Sequence, residues 1–107
     1  MREVGWVTGA CMMVRREAFE KVNSFDEQMF MYYEDKDLCK RVRDAGWKVI
    51  YHPKTSVVHL LGGSSGVVGG SDVNKRYRES QLHYYRKHHS GLHSRLVEWS
   101  LKIAGKI

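Results

Sequence analysis

One stretch constrains the fold of this chain more than any other: an apolar, aromatic run over 29–33 that meets two adjacent carboxylates where a helix begins. Apolar residues then recur at helical spacing, so the sequence predicts an amphipathic helix over 34–45. Gly46 is the residue type expected just past a helix end, and 47–51 follow it as a predicted strand. A helix that leads through a short loop into a strand is typical of an α/β layer structure.

The two carboxylates, Glu34 and Asp35, flank the apolar face of this predicted helix. Carboxylates that lean toward a core at a helix N-terminus are suited to act as a base or to bind a metal. Acidic side chains in a first helical turn also interact favourably with the helix dipole, and many do nothing more. Taken alone, this stretch favours the second interpretation.

Composition sets broad limits. A chain of 107 residues can bury one modest core, and 42% hydrophobic with 28% charged residues excludes wholesale disorder. The net charge of +6 indicates attraction to an anion, without choosing between nucleic acid, acidic lipid and a nucleotide diphosphate. Cys11 and Cys39 lack redox or zinc spacing, so we interpret both as reduced core residues of a cytosolic protein. The sequence contains no signal peptide and no apolar run near the ~20 residues that span a bilayer.

Shorter patterns predict the remaining elements. The predicted strands are 4–14 and 56–60, and the predicted helices are 15–22, 74–89 and 92–107. Two glycines in the first of these strands indicate a bend or the close approach of another group. Asn23, which tolerates the left-handed conformation of a helix cap, should end the helix before it.

The last third of the chain is rich in glycine, then in basic and aromatic residues. Residues 62–70 contain five glycines and two serines and predict a mobile loop, either a linker or a lid over a ligand. The helix at 74–89 interleaves Lys and Arg with Tyr, which fits a nucleic-acid binder but more often a solvated helix whose tyrosines pack inward. The helix at 92–107 carries an apolar stripe that docks on a core, on a partner helix or on a membrane surface. The stripe consists of Leu92, Leu96, Trp99, Ile103 and Ile107.

The six histidines do not have the spacing of a zinc site. His59 stands out because it ends a predicted strand, where α/β folds place side chains that contact ligands. A lone histidine at a strand end is by default a hydrogen-bonded structural residue.

Several motifs follow one another in a characteristic order. They are Gly9-Ala10-Cys11-Met12-Met13-Val14-Arg15-Arg16-Glu17-Ala18-Phe19, Phe25-Asp26-Glu27, Phe30-Met31-Tyr32-Tyr33-Glu34-Asp35 with Asp37-Leu38, Arg41, Ala45-Gly46-Trp47 and Val57-Val58-His59. Together they resemble the C-terminal half of a family 2 glycosyltransferase of the bacterial rhamnosyltransferase-like group. The resemblance is strong over 6–65 and weak beyond it.

This resemblance implies an α/β chain that forms the C-terminal, acceptor-side portion of a GT-A nucleotide-sugar transferase fold, with few short strands and about four helices. Residues 1–66 would be the acceptor-side half of the catalytic domain, and 67–107 the end of the glycine-rich loop with basic and amphipathic helices. The implied reaction is an inverting transfer from a nucleotide-sugar donor to a saccharide or lipid-linked acceptor in surface polysaccharide synthesis. The nucleotide-binding half with its Asp-x-Asp motif is missing, so we expect an inactive fragment.

The resemblance also assigns roles to individual residues. Asp35 would be the general base, Glu34 would orient the acceptor or the base, and His59 would ligate a divalent metal, Mn or Mg, in a site that is incomplete here. The implied substrate contacts are Trp6, Gly9, Ala10, Tyr33, Arg76 and Arg78.

Two further hypotheses stand beside the transferase. A small basic module over 74–107 would bind nucleic acid or an anionic membrane, with nucleic acid the weaker choice. Exposed apolar surface would alternatively make the chain associate with itself. For the transferase, the expected location is the cytoplasm, with peripheral contact at the inner membrane face through 92–107.

Overall fold

The structure, a computed structural model, describes residues 1–29, 32–60 and 71–107. These residues form four helices and one two-stranded sheet, in agreement with the prediction of few short strands and about four helices. The elements are β1 (Arg2–Glu3), α1 (Arg16–Lys21), α2 (Glu34–Asp44), β2 (Ile50–Tyr51), α3 (Ser71–His88) and α4 (Gly91–Ile103). In this part of the chain, every helix is too short or too polar to cross a membrane.

The chain forms two compact units. Among the described residues, the first unit contains 1–27 and 34–60, and the second contains 28–29, 32–33 and 71–107. The predicted glycine-rich loop at 62–70 lies outside the described residues.

In the first unit, α1 and α2 build the core. Ala18, Leu38 and Val42 form its buried centre, with Leu38 only 1% exposed. Partly buried side chains pack around this centre: Met12, Val14, Phe19, Val22 and Trp47. The apolar face predicted for α2 is therefore the face that is buried, because its residues recur at helical spacing.

Both ends of α2 follow the prediction within a residue. Three acidic side chains occupy its first turn, where the helix dipole favours negative charge. After the helix, Gly46 adopts a positive φ of 96°, and the Trp47 N–H donates to the Val42 carbonyl at 3.1 Å. Asn23 also has a positive φ, 60°, and ends α1 as predicted.

The strand predicted at 4–14 is wrong. The sheet is β1 paired antiparallel with β2, Arg2 opposite Tyr51 and Glu3 opposite Ile50, and beyond Val4 the chain leaves it. The apolar composition of this run was misleading, because two of its backbone amides, those of Gly9 and Ala10, bond to side chains instead of to a neighbouring strand. The cysteine in this run, Cys11, is exposed, which corrects the prediction that it lies in the core.

The strand predicted at 56–60 is also wrong, and the one predicted at 47–51 shrinks to β2. Residues 52–60 are exposed and have no helix or strand assignment. Val58 is 90% exposed, so the β-branched residues that suggested a strand have no buried face in the described structure.

In the second unit, α3 packs against α4. Aromatic side chains of this unit also contact one another. Tyr33 is 8% exposed, and its ring centroid lies 5.4 Å from those of Tyr77 and Tyr84. The tyrosines of α3 are half-buried, as predicted for a solvated helix. Tyr32 and Tyr33, which precede α2, have positive φ values of 65° and 61°.

The boundary between α3 and α4 differs slightly from the prediction. α3 begins at Ser71 and ends at His88, and Ser90 caps α4 by accepting a 3.2 Å hydrogen bond from the His93 N–H. α4 ends at Ile103, before a turn at Gly105 with a φ of 68°. Ile107 therefore lies beyond the helix and does not continue its stripe.

Candidate active site

The Asp35 carboxylate is fixed by two backbone amides. Its Oδ2 accepts a 3.0 Å hydrogen bond from the Gly9 N–H, and its Oδ1 accepts a 2.8 Å bond from the Lys36 N–H. The first of these bonds joins residues 26 positions apart, and it attaches the 8–10 turn to the start of α2. Each carboxylate oxygen has a second lone pair, so both can still accept a proton or a hydrogen bond from a ligand.

One of the predicted substrate contacts, Gly9, lies beside this carboxylate, and Ala10 follows it in the same turn. A Cβ at Gly9 would approach the Asp35 Cβ to 3.7 Å, and the Ala10 N–H donates to the Thr8 Oγ1 at 3.3 Å. Trp6, which is 47% exposed, has its ring 4.6 Å from the Lys36 ammonium. The structure therefore gathers Trp6, Gly9 and Ala10 at the N-terminus of α2.

Glu34 occupies a different environment from its neighbour. Its side chain is half-buried, and its Oε2 is buried without a hydrogen-bond partner among the described residues. Burial raises the pKa of the Glu34 carboxyl, a backbone hydrogen bond lowers it by a smaller amount, and the Asp35 carboxylate adds the smallest contribution, a further increase. Glu34 thus keeps its proton to higher pH than an ordinary glutamate.

A groove of about 380 Å³ borders the turn that bonds to Asp35. Its walls are mainly apolar and include one guanidinium. The lining residues are Gly9, Met12, Val14, Arg16, Phe19 and Phe25. A groove of this size beside the turn that binds Asp35 is suited to a small organic ligand.

His59, the predicted metal ligand, is exposed within the segment 52–60. Across 1–29, 32–60 and 71–107, no three His, Cys, Asp or Glu side chains converge as a metal site would require. The residues described do not by themselves fit a divalent ion, and His59 would be one ligand of a larger set.

The other predicted contacts belong to the second unit. Burial, and then the hydrogen bond with Tyr77, raises the pKa of the Tyr33 phenol, so it stays protonated at neutral pH. Arg78 donates from Nη1 to the Gln81 Oε1 at 2.7 Å and stacks its guanidinium 5.0 Å from the Tyr77 ring. Arg76 is exposed on the same helix.

Sequence reasoning missed a buried ion pair in α2. Asp37 has no solvent exposure, and its Oδ2 accepts a 2.8 Å bond from the Arg41 Nε. Arg41 also donates from Nη2 to the Ser24 carbonyl at 2.7 Å and from Nη1 to the Val22 carbonyl. The four-residue spacing of an acid before a base was the available signal. This pair holds the start of α2 against the end of α1.

Cys39 is free and buried, as predicted. Its Sγ faces the Val7 carbonyl at 3.9 Å, and burial raises the pKa of its thiol. A buried thiol that keeps its proton is a poor nucleophile, so Cys39 belongs to the packing.

Comparisons with known proteins identify sequences that are similar to this chain. The family model described as "Glycosyltransferase like family 2" matches residues 1–87. An N-acetylglucosaminyl-diphospho-decaprenol L-rhamnosyltransferase of Mycobacterium tuberculosis is 38% identical over 101 residues, which cover 94% of this chain and 33% of that protein. Rhamnosyltransferase WbbL of Escherichia coli is 45% identical over 56 residues, 52% of this chain and 21% of the relative. A dTDP-rhamnosyl transferase, RfbF of Shigella flexneri, is 34% identical over 74 residues, 69% of this chain and 24% of the relative.

The chain thus spans about a third of the length of the mycobacterial relative, or less for the other two. No solved structure gave a significant match.

Proposed function

The chain belongs to the glycosyltransferase-like family 2, and from this membership we propose that it forms the acceptor-side part of an inverting transferase with a GT-A fold. The sugar would pass from a nucleotide-diphosphate donor to a hydroxyl of a saccharide or lipid-linked acceptor. Three relatives are named rhamnosyltransferases, one for dTDP-rhamnose and one for a diphospho-decaprenol acceptor, which supports rhamnose transfer in polysaccharide synthesis. Such a donor is highly charged and does not cross a bilayer, so the proposed location is the cytoplasm.

The main support for this proposal is the pair of backbone hydrogen bonds that the Asp35 carboxylate accepts. Two backbone amides fix its carboxylate while lone pairs on both oxygens stay available. In the reaction the acceptor oxygen bonds to the anomeric carbon as the bond from that carbon to the diphosphate breaks. The hydroxyl proton passes to the Asp35 carboxylate, which acts as general base. Attack opposite the leaving group inverts the anomeric centre.

Glu34 has a supporting role in this proposal. Its raised pKa lets the carboxyl carry a proton more readily than an ordinary glutamate, so it can donate a hydrogen bond to an acceptor oxygen. The protonated Glu34 would donate to the acceptor hydroxyl, and the ionised Asp35 would accept from it, so the two side chains would orient this hydroxyl together. Glu34 would therefore position the acceptor, and Asp35 would take the proton.

The test is Asp35→Asn in the longest natural polypeptide that contains this chain. An asparagine oxygen can still accept the Gly9 bond but cannot take the proton, so transfer should fall roughly 10²–10⁴-fold while donor binding is unchanged. Sugar transfer and donor affinity are measured side by side. Asp44→Asn, at the other end of α2, is the matched control and should keep full activity. Turnover retained in Asp35→Asn would refute the general-base assignment.

We also propose that His59 would supply one ligand of a divalent ion, Mn or Mg, and such an ion would offset negative charge on the leaving diphosphate. His59→Ala should then weaken Mn²⁺ binding to the same polypeptide, measured by titration calorimetry. His52→Ala removes another exposed imidazole of the first unit and is the control. Equal Mn²⁺ affinity in the two variants would remove His59 from the ligand set without affecting the case for Asp35.

A further inference from the structure

α4 carries an exposed apolar stripe. Its four members recur at intervals of four, three and four residues, so they share one narrow helix face. They are Leu92, Leu96, Trp99 and Ile103, which are 71%, 54%, 63% and 66% exposed. Four large apolar side chains exposed in one row are unusual for a solvated helix, because such surface is normally buried.

The packing of α4 within the second unit does not use this stripe. Ser94 is buried, and Val97 and Leu101 are half-buried on the opposite side of the helix. On that side Glu98 accepts a 3.0 Å bond from Arg86 of α3. The helix is therefore held in place with its apolar stripe facing outward.

The part of the chain that carries the stripe has a net positive charge. Residues 71–107 contain eight Lys and Arg against three Asp and Glu, and so hold five of the chain's six net positive charges. Arg95 and Lys102 lie together on one flank of the stripe at helical spacing, and Lys106 follows the turn after α4. The nearby acid, Glu98, is already bound to Arg86 and Lys102, which lower the pKa of its carboxyl.

We propose that α4 docks on the surface of an anionic lipid bilayer, with the helix axis in the membrane plane. Its stripe would enter the boundary between headgroups and acyl chains, and its cationic flank would meet acidic headgroups. Trp99, at the middle of the row, is the residue type favoured at this boundary because its ring is apolar and its N–H is polar. A second copy of the chain is a poorer partner for this stripe. If two identical stripes packed together, their cationic flanks would repel each other.

The proposal does not depend on sugar transfer and is tested by binding alone. The full chain is mixed with vesicles of phosphatidylcholine, with or without 30 mol% phosphatidylglycerol, and sedimented. We expect binding to the anionic vesicles that weakens in 0.5 M NaCl, together with a blue shift of tryptophan fluorescence. Leu96→Gln and Trp99→Gln should each weaken binding roughly tenfold. Arg95→Gln and Lys106→Gln should each weaken it about fivefold.

The control substitutions replace an exposed apolar side chain and an exposed cationic side chain of the first unit. Val58→Gln changes a side chain that is 90% exposed in the first unit, and Lys54→Gln removes an exposed charge there. Both should bind vesicles like the unchanged chain, and Trp99→Phe should still bind but lose most of the blue shift. Circular dichroism confirms that each variant is folded.

Three results would overturn the proposal. One is no binding to anionic vesicles. Another is equal weakening by the control substitutions. The third is a dimer that Leu96→Gln dissociates, without any vesicle binding, because the stripe would then be an interface between copies.

Discussion

Glu34 and Asp35 are neighbours in the chain, yet the residues around them prepare them for different chemistry. Asp35 directs its two carboxylate oxygens at backbone amides, while Glu34 buries an oxygen that bonds to none of the described residues. The sequence located both residues at a helix start, because an apolar run met a pair of acids there. The local residue pattern could not show how their environments differ, because the Gly9 amide that fixes Asp35 lies 26 residues earlier in the chain.

A pH dependence of stability follows from Glu34. Its folded-state pKa is raised above the ordinary value of 4.5, so the folded protein keeps a proton that the unfolded chain loses. The contribution of Glu34 to stability is therefore fully present below that ordinary value and is lost as pH rises through the folded pKa. Glu34→Gln should remove this fall, so the variant should have a higher melting temperature than the unchanged chain at pH 7 and a similar one at pH 4.

The control for this substitution is Glu20→Gln, at an exposed position of α1. It should leave the melting temperature close to that of the unchanged chain at both pH values. If the Glu34→Gln variant has a melting temperature at or below that of the unchanged chain at pH 7, the Glu34 carboxylate of the unchanged chain is better solvated than the structure indicates.

At the scale of elements, the helices were predictable and the strands were not. α2 has local signals at both ends, acids in its first turn and Gly46 after its last, and its bounds came out within a residue. The 4–14 run has the composition of a strand, but the backbone amides of Gly9 and Ala10 donate hydrogen bonds to side chains. Composition alone does not reveal which partner satisfies a backbone amide.

The contact between α1 and α2 should depend on Arg41. Its guanidinium binds the buried Asp37 and two carbonyls that follow α1. Arg41→Met removes the cation from a buried pair, which typically costs about 3–5 kcal/mol. The free energy of unfolding is measured by urea titration.

Arg43→Met makes the same change at an exposed position of the same helix. It should stay within about 0.5 kcal/mol of the unchanged chain. Equal losses in the two variants would mean that Arg41 contributes helix propensity alone, without a stabilising ion pair.

At the scale of the whole molecule, the described part of the first unit buries few apolar residues and exposes many. A second groove, of about 480 Å³, runs beside its core. Apolar side chains dominate its lining, including Val7, Met12, Met13, Val14, Leu38, Val42, Trp47 and Val49. Met13 is 99% exposed. Exposed apolar surface of this kind tends to acquire a partner.

We therefore expect the isolated chain to self-associate as its concentration rises. Light scattering should report a mass above 12.5 kDa at high concentration. Met13→Glu should lower that mass, because it places a charge on the rim of the groove. Asn74→Glu changes the net charge equally at an exposed position of α3 and should leave association intact. A chain that stays monomeric at every concentration would contradict the expectation.

The hydrogen bond from Gly9 to Asp35 also has a consequence for natural variation. The donor is a backbone amide, and a Cβ at this position would meet the Asp35 Cβ at 3.7 Å, an ordinary contact. Apart from proline, which lacks the N–H, many residue types can preserve the bond. Insertions and deletions are different, because a change of one residue in this turn moves the donor away from its acceptor. In homologous proteins, substitutions in this turn should therefore be more common than insertions or deletions.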